Sequence, residues 1–238
     1  MKKRVSLKDI ANEVGVSVTL VSYVINGKEK EGRVGKEIAQ KIREVAKRMN
    51  YQPNYIARSL RNKNTQTIGL IVADISNPFF ANLARVIEDE ATRFNYTVII
   101  GSSDEDPEKM KRILDFFRSR QVDGFIIVPT EGSYDQITEL RKNNDKYVLM
   151  DRYFDNISAN CVVIDNFQAS YNATEYLISK DYKDIGLITY NSNLNHFEDR
   201  LKGYKAALNE NALKLNTKYI KQVNYSTLKK DICIAVSS

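Results

Sequence analysis

Two groups of residues in this 238-residue chain have types and spacings suited to recognition. The first is Val18-Thr19 with Ser22-Tyr23. If Leu20, Val21 and Val24 turn one face of a short helix inward, Val18, Thr19, Ser22 and Tyr23 lie outward. Hydroxyls and a phenol that donate and accept, next to a valine methyl, are what reads base edges in a major groove. The second group ends a series of apolar runs: Asp74 with Asn77-Pro78-Phe79, Asp104, Pro129-Thr130, Asp151-Arg152 and Tyr190-Asn191. Carboxylates, amides, a guanidinium and an aromatic ring suit a hydroxylated small molecule such as a sugar. Ordinary polar loops have the same composition, so residue chemistry alone leaves that reading open.

The first group needs a small helical scaffold, and residues 1–50 supply one. Ser6-Leu7-Lys8-Asp9 has the pattern of a capping box, and Leu7, Ile10, Ala11 and Val14 follow at helical spacing. Gly15 supplies a turn and Ser17 caps a second helix. After a polar loop from Gly27 to Gly35, a third helix places Ile38, Ile42, Val45 and Met49 on one face. Lys36, Lys41, Arg43, Lys47 and Arg48 are then left for solvent or phosphate. Charge separates this head from the rest. Residues 1–63 carry 15 Lys+Arg against 6 Asp+Glu, the other 175 residues 21 against 24. A basic head on a mildly acidic body is the footprint of a phosphate-backbone binder that carries a second domain.

A connector over 51–64 follows. Pro53 ends the third helix, and Tyr55 to Arg61 forms barely two helical turns, too short to be stable alone. Leu60 there is an apolar side chain of the kind that wedges into a minor groove.

Ser6-Leu7-Lys8-Asp9-Ile10-Ala11, Gly15-Val16-Ser17, Val21-Ser22, Val24-Ile25-Asn26-Gly27, Tyr51-Gln52-Pro53-Asn54 and Ala57-Arg58-Ser59-Leu60 together resemble the lactose-repressor (LacI/GalR) family of bacterial transcription regulators. The resemblance continues through Thr67-Ile68-Gly69-Leu70-Ile71, Ile75-Ser76-Asn77-Pro78-Phe79-Phe80, Val122-Asp123-Gly124 and Arg200-Leu201 with Gly203-Tyr204, across essentially the whole chain. It implies that Ser17, Val18, Thr19, Ser22, Tyr23, Asn26, Asn54, Ala57 and Leu60 meet DNA, with Val18, Thr19 and Tyr23 at bases and Leu60 in the minor groove. It also implies an effector cleft lined by Phe79, Asp151 and Arg200, to which the strand-end reading adds Asn77 and Arg152. The family commonly has Arg or His where Tyr23 stands, so no operator preference transfers. Gly35, Ile38 and Ala39 also depart from the Ser and Thr-Arg usual at the start of the third helix.

Residues 65–238 alternate apolar runs with amphipathic stretches. Strands are expected at Ile68–Ala73, Tyr96–Gly101, Gly124–Val128, Tyr147–Asp151, Val162–Asp165 and Ile185–Tyr190, with helices starting near Pro78, Pro107, Ser133, Phe167 and Asn195. That alternation argues for a doubly wound parallel α/β sheet behind the all-α helix-turn-helix head. By the resemblance, the body is periplasmic-binding-protein-like. Ligands of such sheets bind beyond the carboxyl ends of the strands. Leu228, Ile232 and Ala235-Val236 continue a helical stripe to Ser238, so the second subdomain is expected to be largely missing and the body incomplete.

The function expected is a cytoplasmic, homodimeric regulator, a repressor by the commoner family mode. It binds a double-stranded, pseudo-palindromic operator under control of a sugar or sugar derivative. A truncated, effector-blind fragment and an α/β enzyme with a DNA tether are the alternatives. The chain has no GxGxxG after a strand, no GxxxxGK[ST], no GxSxG and no metal-spaced His/Cys cluster, so no catalytic residue, metal or cofactor is assigned. No apolar run approaches the roughly 18–20 residues of a membrane helix. Cys161 and Cys233 are expected to be buried thiols, and His196 a loop residue near the cleft.

Overall fold

The computed structural model describes residues 5–52 and 64–237. The chain divides between Lys63 and Asn64 into two compact units. The expected short helix of the connector, with Asn54, Ala57 and Leu60, lies outside the described residues.

The first unit holds α1 (Leu7–Val14), α2 (Val18–Ile25) and α3 (Lys36–Arg48). Ser6 Oγ accepts from the Asp9 amide while the Asp9 carboxylate accepts from the Ser6 amide, a complete capping box for α1. Ser17 Oγ accepts from the Leu20 amide at 3.2 Å and starts α2. The core joins Ile10 and Val14 to Val21, Val24, Ile42 and Val45. Burying each such side chain contributes about 1.5–3 kcal/mol. One expectation is corrected here. Ile38 is exposed and Ala39 is buried in its place, because small Ala39 and Ala46 flank Ile42 and Val45 on the stripe that meets the other helices.

The second unit runs β1 (Thr67–Val72), α4 (Pro78–Arg93), β2 (Thr97–Ser102), α5 (Pro107–Ser119), β3 (Gly124–Ile127), α6 (Tyr134–Lys142), β4 (Tyr147–Met150), β5 (Cys161–Val162), α7 (Asn166–Ile178), β6 (Leu187–Tyr190), α8 (Asn195–Glu210), β7 (Ile220–Val223) and α9 (Leu228–Ser237). Strands β1 to β5 form a parallel sheet in the order β2-β1-β3-β4-β5. Alternation along β1 shows its two covered faces. Ile71 enters a core with Met110, Leu114 and Phe117 of α5 and Ile137 and Leu140 of α6. Leu70 and Val72 face Phe80 and Ala84 of α4 on the other side. A strand buried on both faces reads as a continuous apolar run, as β1 does.

A second parallel pair, β6-β7, is linked through α8, and α8 packs on α7. Strand β7 is absent from the sequence expectations, because Ile220-Lys221-Gln222-Val223 has apolar residues only at its ends. Three further expectations change. The strand expected over Val162–Asp165 is only Cys161–Val162, an exposed edge. Both cysteines are exposed, Cys161 on that edge and Cys233 on α9, which buries none of its described side chains. His196 is no loop residue; it lies in the first turn of α8 and is buried. No helix among the described residues is long and apolar enough to cross a membrane.

Candidate functional sites

In the first unit the exposed first turn of α2 is the chemically distinctive surface. Val18 is 43% exposed, and Ser17 and Thr19 are also exposed. Further along α2 the expected residues are engaged with one another. Asn26 caps the helix and donates its amide to the Ser22 carbonyl at 2.7 Å and to Ser22 Oγ at 3.2 Å. Tyr23 is half-buried, with its ring against the backbone of Gly32 in the following loop. The helix therefore offers Val18 and Thr19 freely, whereas Tyr23 has one face committed to the fold.

The cations around it are unequal. Arg48 pairs with Glu13 at 2.6 Å, Arg43 with Glu29, and Lys28 with Glu31. Lys30, Arg33, Lys36, Lys41 and Lys47 have no ion-pair partner among the described residues, so their charge is available to a polyanion.

In the second unit the carboxyl ends of β1 to β4, β6 and β7 bring the second group together. Asn77 caps α4, its side chain accepting from the Phe79 amide at 3.0 Å, and this leaves the Phe79 ring 46% exposed. Phe79 meets Phe80 edge-on, and the Arg152 guanidinium lies 5.9 Å from the centre of the Phe80 ring. Arg152 itself is buried. It donates two hydrogen bonds of 2.7 Å to Glu105 and a longer one to the Pro129 carbonyl, with Asp151 at 3.5 Å and the Tyr225 hydroxyl at 3.5 Å. Arg152 is thus engaged by Glu105 through both terminal nitrogens. Burial works against its charge, but the hydrogen bonds and charge of Glu105 more than restore it. Deleting either partner would strand the other, at about 3–5 kcal/mol.

Asp151 follows β4 in the left-handed region, at φ 67°, with its side chain 8% exposed. Burial raises its pKa, opposed by the charges of Arg152 and Arg200. Arg200 projects from α8, donates Nε to Asn166 at 2.8 Å and lies over the Phe197 ring. Tyr190 and Tyr225 stack with centroids 4.0 Å apart, and Tyr190 also contacts Phe197. Desolvation holds buried His196 neutral, its pKa pulled down to about 3 with help from Arg152 and Arg200. Its Nδ1 has no hydrogen-bond partner among the described residues.

Of the other residues expected at strand ends, Thr130 is fully buried beside the Met110 sulfur, and Asp104 is tied to Ser102 and Lys109. Glu105, Asn166, Phe197 and Tyr225 were not expected. Glu105 is next to the expected Asp104, and the two consecutive positive φ angles that turn it inward, 52° and 58°, have no sequence signature beyond two acidic residues. Tyr225 arrives from the unforeseen β7.

The arrangement can bind a polar molecule. Asp151 offers a carboxylate, Arg200 a guanidinium, and Phe79, Tyr190 and Tyr225 offer rings. Among the described residues no group of three or more His, Cys, Asp or Glu could hold a metal ion.

Comparison with known proteins decides the family. The model described as "Periplasmic binding proteins and sugar binding domain of LacI family" matches residues 65–231, and "Bacterial regulatory proteins, lacI family" matches residues 6–54. The chain belongs to the LacI family. Catabolite control protein A of Staphylococcus epidermidis is 40% identical over 215 residues, 89% of this chain and 64% of that protein. The protein of the same name in Priestia megaterium is 36% identical over 224 residues, 93% of this chain and 66% of that protein. Among solved structures, the transcription regulator CcpA of Lactococcus lactis is 27% identical with a TM-score of 0.63, covering 71% of this chain and 64% of its own. The lac repressor dimer bound to operator and the anti-inducer ONPF shares the fold, with a TM-score of 0.81 at 21% identity over 94% of this chain and 67% of its own. The chain spans just under two thirds of the length of the curated relatives it matches. The fold is that of the family: a helical head and a parallel α/β body.

Proposed function

We propose that this LacI-family chain is a sequence-specific DNA-binding transcription regulator. It acts as a repressor in the cytoplasm, as a homodimer on a pseudo-palindromic operator, and its affinity is set by a small hydroxylated molecule. The observation that carries the reading is the exposed first turn of α2, with Val18 and Thr19 facing outward on the unit that holds all of the chain's excess positive charge. A helix N-terminus presented this way fits the major groove, with base contacts near its start. Ser17 and the unpaired lysines would meet phosphate, while Ser22 and Asn26 shape the end of α2. Asn54, Ala57 and Leu60 complete the proposed DNA set on sequence alone.

In the body, Phe79, Asp151 and Arg200 are the proposed effector residues, with Asn77 holding Phe79 and Arg152 holding the floor. Binding without turnover is the role we assign to this site. Ligand would act on DNA affinity through its different affinities for the body's DNA-competent and DNA-incompetent states.

The test is fluorescence anisotropy of a selected operator duplex with this chain, alone and with a panel of mono- and disaccharides. Displacement by one sugar and not by its epimers supports the reading. Operator binding that no sugar alters removes the effector half.

A further inference from the structure

Four charged groups meet around Arg152 at the carboxyl ends of the sheet, and they are partly locked. Glu105 and Asp151 contribute two carboxylates, Arg152 and Arg200 two guanidiniums. Glu105 takes both terminal nitrogens of Arg152, which is 3% exposed. That leaves Arg200 as the guanidinium whose terminal nitrogens have no hydrogen-bond partner among the described residues, within electrostatic reach of Asp151. His196, the chain's one histidine, is buried and neutral and supplies no further positive charge.

We propose that the ligand of this site is uncharged, a polyol or unphosphorylated sugar, and that Glu105 sets this preference by withdrawing Arg152 from any incoming anion. The inference rests on the effector reading of the site given above. A hydroxyl both donates and accepts, so one ligand can give to the Asp151 carboxylate and take from Arg200. The phosphoryl group of an ester brings about two negative charges and no donor, and would face Glu105 and Asp151 with Arg152 already spent.

Glu105 is a specificity-determining residue on this account, and the test is a gain of binding rather than a loss. Thermal unfolding of the full chain is measured in inorganic phosphate and in chloride at matched ionic strength, for the native sequence, Glu105→Gln, and Glu105→Gln with Arg152→Gln. The proposal expects phosphate to leave the native chain unchanged, to raise the midpoint of Glu105→Gln by several degrees, and to do nothing for the double variant. A phosphate-stabilised native chain overturns it, and so does a folded Glu105→Gln that ignores phosphate. Should Glu105→Gln not fold, the native chain decides through calorimetry with glucose and glucose 6-phosphate, and likewise with fructose and fructose 1-phosphate. Tighter binding of an unphosphorylated member supports the proposal. Tighter binding of an ester overturns it while leaving the effector reading intact, and no binding by any of the four removes both.

Discussion

A methyl group added at Gly32 would sit 2.6 Å from Cγ and Cδ2 of Tyr23, so α2 and the loop after it are built ring against backbone. Only a residue without Cβ allows that approach. Gly32→Ala must therefore push Tyr23 off its seat and loosen the end of α2. Thermal unfolding of the chain should show a loss of about 1–3 kcal/mol in the first unit, the usual result of overpacking. Operator affinity should fall with it. Native-like stability and affinity in Gly32→Ala would show that the contact is incidental.

Val18 and Thr19 have no such second task, and this separates them from Tyr23. Replacing Thr19 by Ala should alter base preference at one operator position by about 1–3 kcal/mol and leave thermal stability nearly unchanged. Selection experiments with the variant read this directly. An unaltered motif would take Thr19 out of the reading surface.

Gly203 governs the body in a comparable way. A Cβ there would lie 2.2 Å from the Phe167 carbonyl oxygen, which is backbone and cannot swing aside. This close approach of α8 to α7 is what brings Arg200, one turn earlier, within 2.8 Å of Asn166. Gly203→Ala should cost at least about 2 kcal/mol. It should lower the unfolding midpoint of the body by several degrees and weaken any ligand that depends on Arg200. A variant as stable as the parent would contradict the packing described.

Protonation of His196 gives the body an acid sensitivity of definite sign. Its folded pKa is about 3, below the ordinary 6.5, so between those values the unfolded chain binds the extra proton. The stability this histidine contributes is present above pH 6.5 and is lost progressively as pH falls toward 3. The slope is on the order of 1 kcal/mol per pH unit. His196→Leu should flatten the dependence of the unfolding midpoint on pH between 7 and 5. An equally steep acid loss in that variant would assign it to other groups.

How much of this was legible beforehand depended on whether a residue's role is local. The capping box of Ser6 and Asp9 and the run Leu70-Ile71-Val72 announce themselves, because caps and buried strands have fixed patterns over a few residues. The strand-end positions of Asn77, Phe79 and Asp151 followed from the same alternation. Glu105 stayed hidden because its inward turn is made by two left-handed residues that are neither Gly nor Asn. Tyr225 did too, since β7 is half polar and stands after a loop with no strong stop. Arg152 shows the limit from the other side. Its place after β4 is legible in the sequence, but its pairing is made with Glu105, 47 residues earlier.

The most direct test of the central claim is selection of DNA by this chain from a random pool, with a salt titration of the winning duplex. The account predicts an enriched pseudo-palindrome whose affinity falls with salt by a slope of several phosphate contacts. Steeply salt-dependent binding with no enriched sequence would contradict it, leaving a basic head that holds DNA without reading it.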